Sequence, residues 1–383
     1  MGKVMPLNHE ELTKHLDSFR AYTVAHPRLA EAKDILLNAV SEAEPNSLVF
    51  VFGPPGVGKT TLRLKVEQLI IAQKLDELQE DRTRIPIASI EAVAPESGSF
   101  NWRDHYKRLL CELGEPLIEY KLKRSPEGTC TETKSMFMPR PRAVGTEYRH
   151  AVEQAIRYRR PVAVMIDEAQ HLGKIGSGRR LLDQLDVIKS IANQTRTVHV
   201  LFGTYDLLAL RNLNGQLSRR SIDVHLPRYH AEVPEDRQVF INIVQSFEKE
   251  LPFSDSSDLA SQWEFLYERS LGCIGILKQW LVRAAAAALR SGNQKLSIDS
   301  LKSQALCTAQ CEQLYTEIAD GELKLQERSD ATVRLRDRLG LSTRGTVQLA
   351  PSPIDSRVRL RRPGQRLPKR DNVGRSSANV AAL

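Results

Sequence analysis

A chain of 383 residues with 41% hydrophobic content has room for two or three domains and enough apolar material for a packed core, so a globular protein is expected. The apolar stretches are short and interrupted, and Met1 to Arg20 has neither an unbroken apolar core nor a small-residue cleavage site, which argues against a membrane span and a secretory signal and points to the cytosol or nucleus. The net charge of +8 is concentrated at one end: from Arg344 onward nine basic residues face only Asp355 and Asp371, so this segment carries +7 and the body is nearly neutral.

In chain order, residues 9–44 predict helices, with apolar positions three and four apart (Leu12, Leu16, Phe19; Leu29, Ala32, Ile35, Leu36) and a break at His26-Pro27. The run Leu48 to Phe52 predicts a strand. It feeds Gly53-Pro54-Pro55-Gly56-Val57-Gly58-Lys59-Thr60 and then a helix from Thr61 to Leu78. Strand, glycine-rich loop and helix are the context a P-loop requires. Its glycines let backbone N–H groups turn toward phosphate oxygens, Lys59 adds a cation at the β and γ phosphates, Thr60 offers a hydroxyl to Mg²⁺, and Thr61 follows at the helix start. A nucleoside triphosphate with Mg²⁺ is therefore the expected ligand.

A second strand is expected over 85–90, then a helix capped near Ser99-Phe100-Asn101, with Trp102, Tyr106, Leu109, Leu110 and Leu113 on one face and Arg103, Lys107 and Arg108 on the other. Between Glu119 and Arg142 the periodicity fails and cations gather, among them Lys121, Lys123 and Arg124, which predicts an exposed basic insertion. A helix over 146–160 leads to the apolar run 162–166, a strand of the kind buried on both faces of a parallel sheet. That strand ends in Asp167-Glu168, the Walker B arrangement: Asp167 to hold Mg²⁺ through water, Glu168 to polarise the attacking water. Asp167 to His171 also looks like a helicase box, but the strand and helix alternation a second helicase domain needs is missing after residue 230.

A helix over 179–193 and a strand over 198–202 follow, and Thr204 stands at the strand end with a hydroxyl able to sense the γ phosphate. Leu217-Ser218-Arg219-Arg220 precedes a last strand placed at Leu226 to Tyr229; either arginine could act in trans as an arginine finger, or both could be solvated surface charges. From Pro234 to about Glu327 the pattern is almost purely helical, and Gly272 to Lys278 opens a helix with a cation placed to reach bound nucleotide. The division expected is an N-terminal helical segment (1–46), an α/β nucleotide-binding domain with a parallel sheet flanked by helices (47–230, insertion about 119–142), a small all-helical lid (231–327) and a basic tail (328–383) whose composition favours disorder. The tail fits contact with DNA, RNA or an acidic surface, or a solubilising end. Five cysteines without a Cys-x-x-Cys pair imply neither a disulfide framework nor a zinc site.

Taken in order, the P-loop, one strand, Asp167-Glu168, Thr204, Arg219/Arg220 and a helical lid with Lys278 resemble the AAA+ ATPases. Within them the chain looks like the transposition-associated TniB/TnsC family, with a MuB-like target-selection role. The resembling stretches are Tyr22 to Pro27, the P-loop, Ile166 to Leu172, Gly215 to Arg220 and Gly272 to Lys278. The resemblance implies a bacterial cytoplasmic ATPase that assembles with ATP into a ring or filament, hexameric or nearly so per turn, around duplex DNA. It would link a target selector of the TniQ type to a DDE-type transposase, with slow hydrolysis resetting the assembly. The family's DNA contacts map to Asn101, Trp102 and Arg103, with Lys121, Lys123 and Arg124 as a second candidate group; Trp102 fits the apolar face of its helix equally. Lys278 departs from the arginine usual there and makes no bidentate phosphate contact. The alternative reading is a replication-initiation or helicase-loading AAA+ ATPase.

Overall fold

The computed structural model describes residues 9–95, 100–120, 141–173, 178–212, 221–253, 258–291, 295–326 and 329–341. The chain divides into two compact units, Met1–Gln326 and Glu327–Leu383. In the first, α1 (His9–Ala21) and α2 (Pro27–Glu42) lead to β1 (Leu48–Phe52), α3 (Lys59–Gln73), α4 (Leu75–Glu80) and β2 (Ile87–Glu91). Next come α5 (Trp102–Glu112), α6 (Pro141–Arg159), β3 (Ala163–Asp167), α7 (Gly178–Thr195), β4 (Val198–Gly203), α8 (Leu207–Asn212) and β5 (Ser221–His225). The remainder is helical: α9 (Pro234–Glu250), α10 (Trp263–Ser270), α11 (Ile274–Arg290), α12 (Ile298–Gln304) and α13 (Thr308–Leu325).

The five strands are parallel, in the order β2-β3-β4-β1-β5. The three inner strands are buried along their whole length, as their unbroken apolar runs require, whereas β2 and β5 alternate as edge strands do. On one face α2 and α3 deliver Leu29, Leu36, Leu62 and Val66 against Val49, Val51 and Met165. On the other, α5, α6 and α7 deliver Tyr106, Leu109, Val152 and Ile188 against Phe50, Val164 and Leu201. The register pairs Phe52 with Gly203 and Glu91 with Asp167, so the loop after β1, the acids after β3 and Thr204 after β4 emerge at one end of the sheet.

The helical part has its own core around Phe240, Phe247, Leu266, Trp280 and Leu281. Helix α1 belongs to it through Leu16 and Phe19, the latter edge-on to Phe247 with ring centroids 5.9 Å apart, an aromatic pairing worth about 0.5–1.5 kcal/mol beyond area burial. The segment 1–46 is thus shared, α1 with the helical core and α2 with the sheet. Helix α13 returns to the α/β layer: Cys311 and Ile318 join its core, and a Cβ at Gly321 would lie 2.1 Å from the Tyr205 ring.

Several elements differ from expectation. The last strand lies at 221–225 rather than 226–229: Leu226 N–H still donates to Phe52 O (2.9 Å), but Pro227 has no N–H to continue the ladder. The polar alternation Ser221-Ile222-Asp223-Val224-His225 is an edge-strand signature, weaker as a strand signal than an apolar run. Strand β2 begins at Ile87 rather than 85, the helix behind the P-loop breaks at Lys74, and α6 begins at Pro141, inside the range assigned to the basic insertion. Short helix α8 has no counterpart in the sequence reading.

In the second unit, α14 (Ser329–Arg338) corrects the expectation of a wholly unstructured segment from 328. Val333 and Leu335 are exposed on it, so good helix formers such as Ala331, Arg334 and Arg336 account for it rather than burial. The basic run from Arg344 and the insertion cations Lys121, Lys123 and Arg124 lie outside the described residues. No single helix among the described residues is long and apolar enough to cross a membrane.

Candidate active site

The loop from Gly53 to Gly58 turns directly out of β1 into α3. Two of its turns need glycine: Gly56 has φ +68° and Gly58 φ +111°, backbone that side-chain-bearing residues rarely adopt. A Cβ on Gly53 would sit 2.2 Å from Leu226 O, so the strand beside it also demands glycine. Pro54 and Val57 are buried, and Val57 anchors the loop in the core. Pro55 is half-buried. Helix α3 then begins at Lys59, presenting the unpaired N–H groups and positive end of a helix N-terminus to an anion.

Lys59 is buried and folds back into its own loop, Nζ donating to Gly53 O (3.0 Å) and Pro54 O (2.8 Å). Burial lowers its pKa from the ordinary lysine value, opposed by the nearby charges of Glu168 and Asp167. A phosphate entering the loop would exchange these carbonyls for stronger charge-assisted bonds. Thr60 Oγ1 donates to Asp167 Oδ2 at 3.1 Å, which brings the two predicted metal donors together. A hydroxyl and a carboxylate, both oxygen donors, suit Mg²⁺, with Thr60 as the ligand and Asp167 reaching the ion through water. Thr61, the next residue, instead lines the cavity on the lid side of the loop described below.

Asp167 is held from three sides. Its Oδ1 accepts from Glu168 N–H (2.9 Å), and Oδ2 accepts from Thr60 and from Arg63 Nε (3.1 Å). Arg63, not singled out by the sequence, also bonds Glu67 and Ser89, so one guanidinium ties α3 to β2 and β3 around the acid. Glu168 stands at φ +52°, a left-handed conformation that costs a non-glycine residue about 1–2 kcal/mol and marks the turn out of β3 as built for function rather than local comfort. Gln170 donates from Nε2 to Glu168 Oε2, while its Oε1 accepts from Thr204 N–H at 3.3 Å. The Thr204 hydroxyl itself donates to Asp206 Oδ2 (3.3 Å).

The lid closes over this corner. Gly275 N–H, in the first turn of α11, donates to Gly56 O at 2.7 Å, and a Cβ on Gly275 would meet that oxygen at 2.4 Å. Beside it a cavity is walled by Val24, His26 and Leu29 from the entry segment, Val57 and Gly58 from the loop, and Ile274 and Lys278 from α11. Its mainly apolar lining, next to the phosphate loop, suits a flat heteroaromatic base. His26 caps α2, Nδ1 accepting from Leu29 N–H (3.3 Å) and from Tyr229 OH (2.9 Å), which places the proton of the neutral ring on Nε2. Burial, aided by the charges of Lys65 and Arg28, pushes its pKa down to about 4, so the ring is neutral at pH 7. The stretch Tyr22 to Pro27 carried this wall in the sequence, as a resemblance without a stated role.

Lys278 is placed differently from expectation. Its Nζ donates to Arg20 O (2.7 Å) and Tyr22 O (2.5 Å), satisfying carbonyls at the C-terminal end of α1 where a cation is favoured. It borders the cavity while its ammonium is committed away from the loop. Of the proposed DNA residues, Asn101 is exposed and caps α5 by accepting from Asp104 N–H (3.1 Å), and Arg103 is exposed. Trp102 is a packing residue: half-buried, edge-on to Phe100 at 5.0 Å between centroids and donating from Nε1 to Gln184. The basic face around it is partly neutralised, Lys107 by Glu119 and Arg108 by Asp104. Arg219 and Arg220 lie outside the described residues.

A P-loop, a strand-end acid pair and a parallel sheet with one strand between them define a nucleoside triphosphatase of the α/β class. Residues 43–211 match the family described as AAA domain, and the chain carries an AAA-type P-loop ATPase domain. Among solved structures it is similar to Aeropyrum pernix ORC2 in its ADPNP-ADP complexes, with 16% identity, coverage of 72% of this chain and 66% of that one, and a TM-score of 0.44. It is also similar to Aeropyrum pernix ORC1 in complex with DNA (15% identity, 76% and 67%, TM-score 0.47) and to a Walker-type ATPase of Pyrococcus abyssi (18% identity, 80% and 76%, TM-score 0.43). This chain spans about two thirds of the length of the first of these. No curated protein matches it.

Proposed function

We propose that this ATPase is a nucleotide-gated switch that assembles with copies of itself on duplex DNA, using Mg²⁺-ATP to form the assembly and hydrolysis to release it. The observation that carries the gating is the bond from Gly275 N–H to Gly56 O: the lid helix is hydrogen-bonded to the phosphate loop itself, so a change in loop occupancy is transmitted to α11 and the helices packed on it. Thr60 and Asp167 are the residues that would hold Mg²⁺, which supplies charge neutralisation at the β and γ phosphates when bound. Lys59 binds the phosphates, α3 presents its N-terminus to them, and Glu168 polarises the attacking water. DNA contact rests on exposed Arg103, with Lys121, Lys123 and Arg124, and would go to phosphates rather than base edges. Arg219 and Arg220 remain the candidates for a finger supplied to a neighbour.

Two clients are in play. Replication initiation, the alternative read from the sequence together with helicase loading, is also the printed role of one similar structure, domain III of the Thermotoga maritima replication initiation protein DnaA, whose likeness bears on fold alone. Transposition, with a DDE-type transposase and a TniQ-type selector, rests on the short sequence stretches alone and has no counterpart among the comparisons.

The deciding measurement is duplex binding and particle size without nucleotide, with ADP and with a slowly hydrolysed ATP analogue. Assemblies that form only with DNA and the analogue, weaken steeply with salt and persist in Glu168→Gln with ordinary ATP are expected. Identical DNA binding in all three nucleotide states would sink the gating. The clients then separate by pull-down, retention of a replicative helicase against stimulation of strand transfer by a transposase.

A further inference from the structure

We propose that Gln170 is a positioning residue for hydrolysis: its carboxamide grips the Glu168 carboxylate at one end and the backbone of Thr204 at the other, so that the orientation of the water-polarising group depends on the end of β4. The proposal rests on the reading of Glu168 as that group.

Three observations carry it. First, both ends of the amide are engaged, and the chemistry fixes which way it points. A carboxylate only accepts and a backbone N–H only donates, so Nε2 must face Glu168 and Oε1 must face Thr204 N–H, 3.3 Å away. Gln170 is 7% exposed, so this is a buried amide with little access to water as a substitute partner. Second, Glu168 sits at φ +52°, a backbone state that the side chain does not choose for itself, and Gln170 is the hydrogen-bond donor to its carboxylate among the described residues. Third, the room for the amide is built in. A Cβ on Gly203 would come 2.5 Å from Gln170 Oε1, so glycine at the end of β4 is what lets the amide reach the strand.

The position of Thr204 gives the grip its consequence. Gly203 pairs with Phe52 in the sheet, which sets Thr204 beside Gly53 at the start of the phosphate loop. A displacement of that strand end on phosphate binding therefore reaches the Glu168 carboxylate through one side chain. Asparagine is one methylene too short to span both partners, and glutamate would set a second carboxylate against Glu168.

The test uses the full-length protein and compares Gln170→Leu and Gln170→Asn with the parent in single-turnover ATP hydrolysis, affinity for a fluorescent ATP analogue and melting temperature. The hydrolysis rate is expected to fall about 10- to 100-fold, the effect of misplacing a reacting group by about 1 Å, with affinity within about twofold. In a Glu168→Gln background, Gln170→Leu is expected to cause no further loss, because the two residues act as a unit. Gly203→Ala, which pushes the amide aside without removing it, should reproduce the rate loss, while Gly203→Ala with Gln170→Ala should be no slower than Gln170→Ala alone. The added methyl would also come 2.9 Å from Leu207, so melting temperature is followed for that pair as well. A rate within about twofold of the parent overturns the proposal, as does a fall in rate, affinity and melting temperature together, which marks a packing role. An inactive Glu168→Gln with an active Gln170→Leu removes the proposal alone; a fully active Glu168→Gln removes the reading of Glu168 and the proposal with it.

Discussion

Two lysines face the nucleotide corner from opposite sides, and each donates to two backbone carbonyls: Lys59 to Gly53 and Pro54, Lys278 to Arg20 and Tyr22. Burial lowers both pKa values. The partners make the difference. The carbonyls under Lys59 belong to the loop whose N–H groups await an anion, and two carboxylates stand nearby, so the ammonium is poised to trade weak neutral acceptors for phosphate. Those under Lys278 belong to a helix C-terminus that a cation completes permanently. The same local bonds make an exchangeable ligand on the sheet side and a rivet on the helical side.

Breaking the exchangeable side should have the largest effect. Lys59→Ala is expected to lower ATP affinity at least about 100-fold by titration calorimetry, while the melting temperature of the nucleotide-free protein stays level or rises, since a buried ammonium no longer has to be desolvated. Retained affinity would erase the contrast between the lysines. Gly275→Ala strikes the seam between the sides. With a Cβ 2.4 Å from Gly56 O, α11 must back away, and a loss of about tenfold in affinity with about 1–3 kcal/mol of stability is expected from denaturant titration.

A smaller effect tests the base wall by pH. The folded-state pKa of His26 lies at about 4, below its unfolded value of about 6.5, so the folded state binds fewer protons between those values. Its contribution is complete above about pH 6.5 and is lost as pH falls toward 4. His105, His199 and His225, likewise pushed to about 4 by burial, add to the same acid limb. His26→Asn keeps a capping acceptor without titrating and should shallow that limb while costing about 1 kcal/mol or less at pH 7; an unchanged limb would mean that His26 titrates alike folded and unfolded. Smallest of all, Lys278→Ala should leave ATP affinity within about threefold and lower stability by about 1 kcal/mol, a hydrogen-bond figure discounted for its partial exposure. The opposite pattern, affinity lost and stability kept, would return Lys278 to the phosphates.

The sheet side was legible in the sequence because its chemistry is local. A loop of closely spaced glycines with Lys59-Thr60, and an acid pair capping an apolar strand, need only short-range order to be read, and both fall where the structure has them. What escaped depends on distant partners. Nothing near Arg63 announces a bond to Asp167, 104 residues on. Gln170 sits inside the Ile166 to Leu172 motif, but its second partner, Thr204, lies 34 residues on, and the carbonyls that occupy Lys278 lie more than 250 residues upstream. The misplaced last strand has the complementary cause: edge strands carry polar alternation, and apolar Leu226 outweighed it although Pro227 forbids the ladder.

The fit of Gly321 against Tyr205 bears on how the protein is made. The phosphate loop is synthesised before Gly275, and Gly275 before the helix that buttresses the residue beside Thr204, the last helix of its unit among the described residues. A nascent chain therefore carries a complete P-loop for more than 200 residues of synthesis, from Thr60 to Gly275, before the lid contact can form. A chain that stops before α13 would carry the phosphate loop without Gly321 against Tyr205, and so without the support beside Thr204.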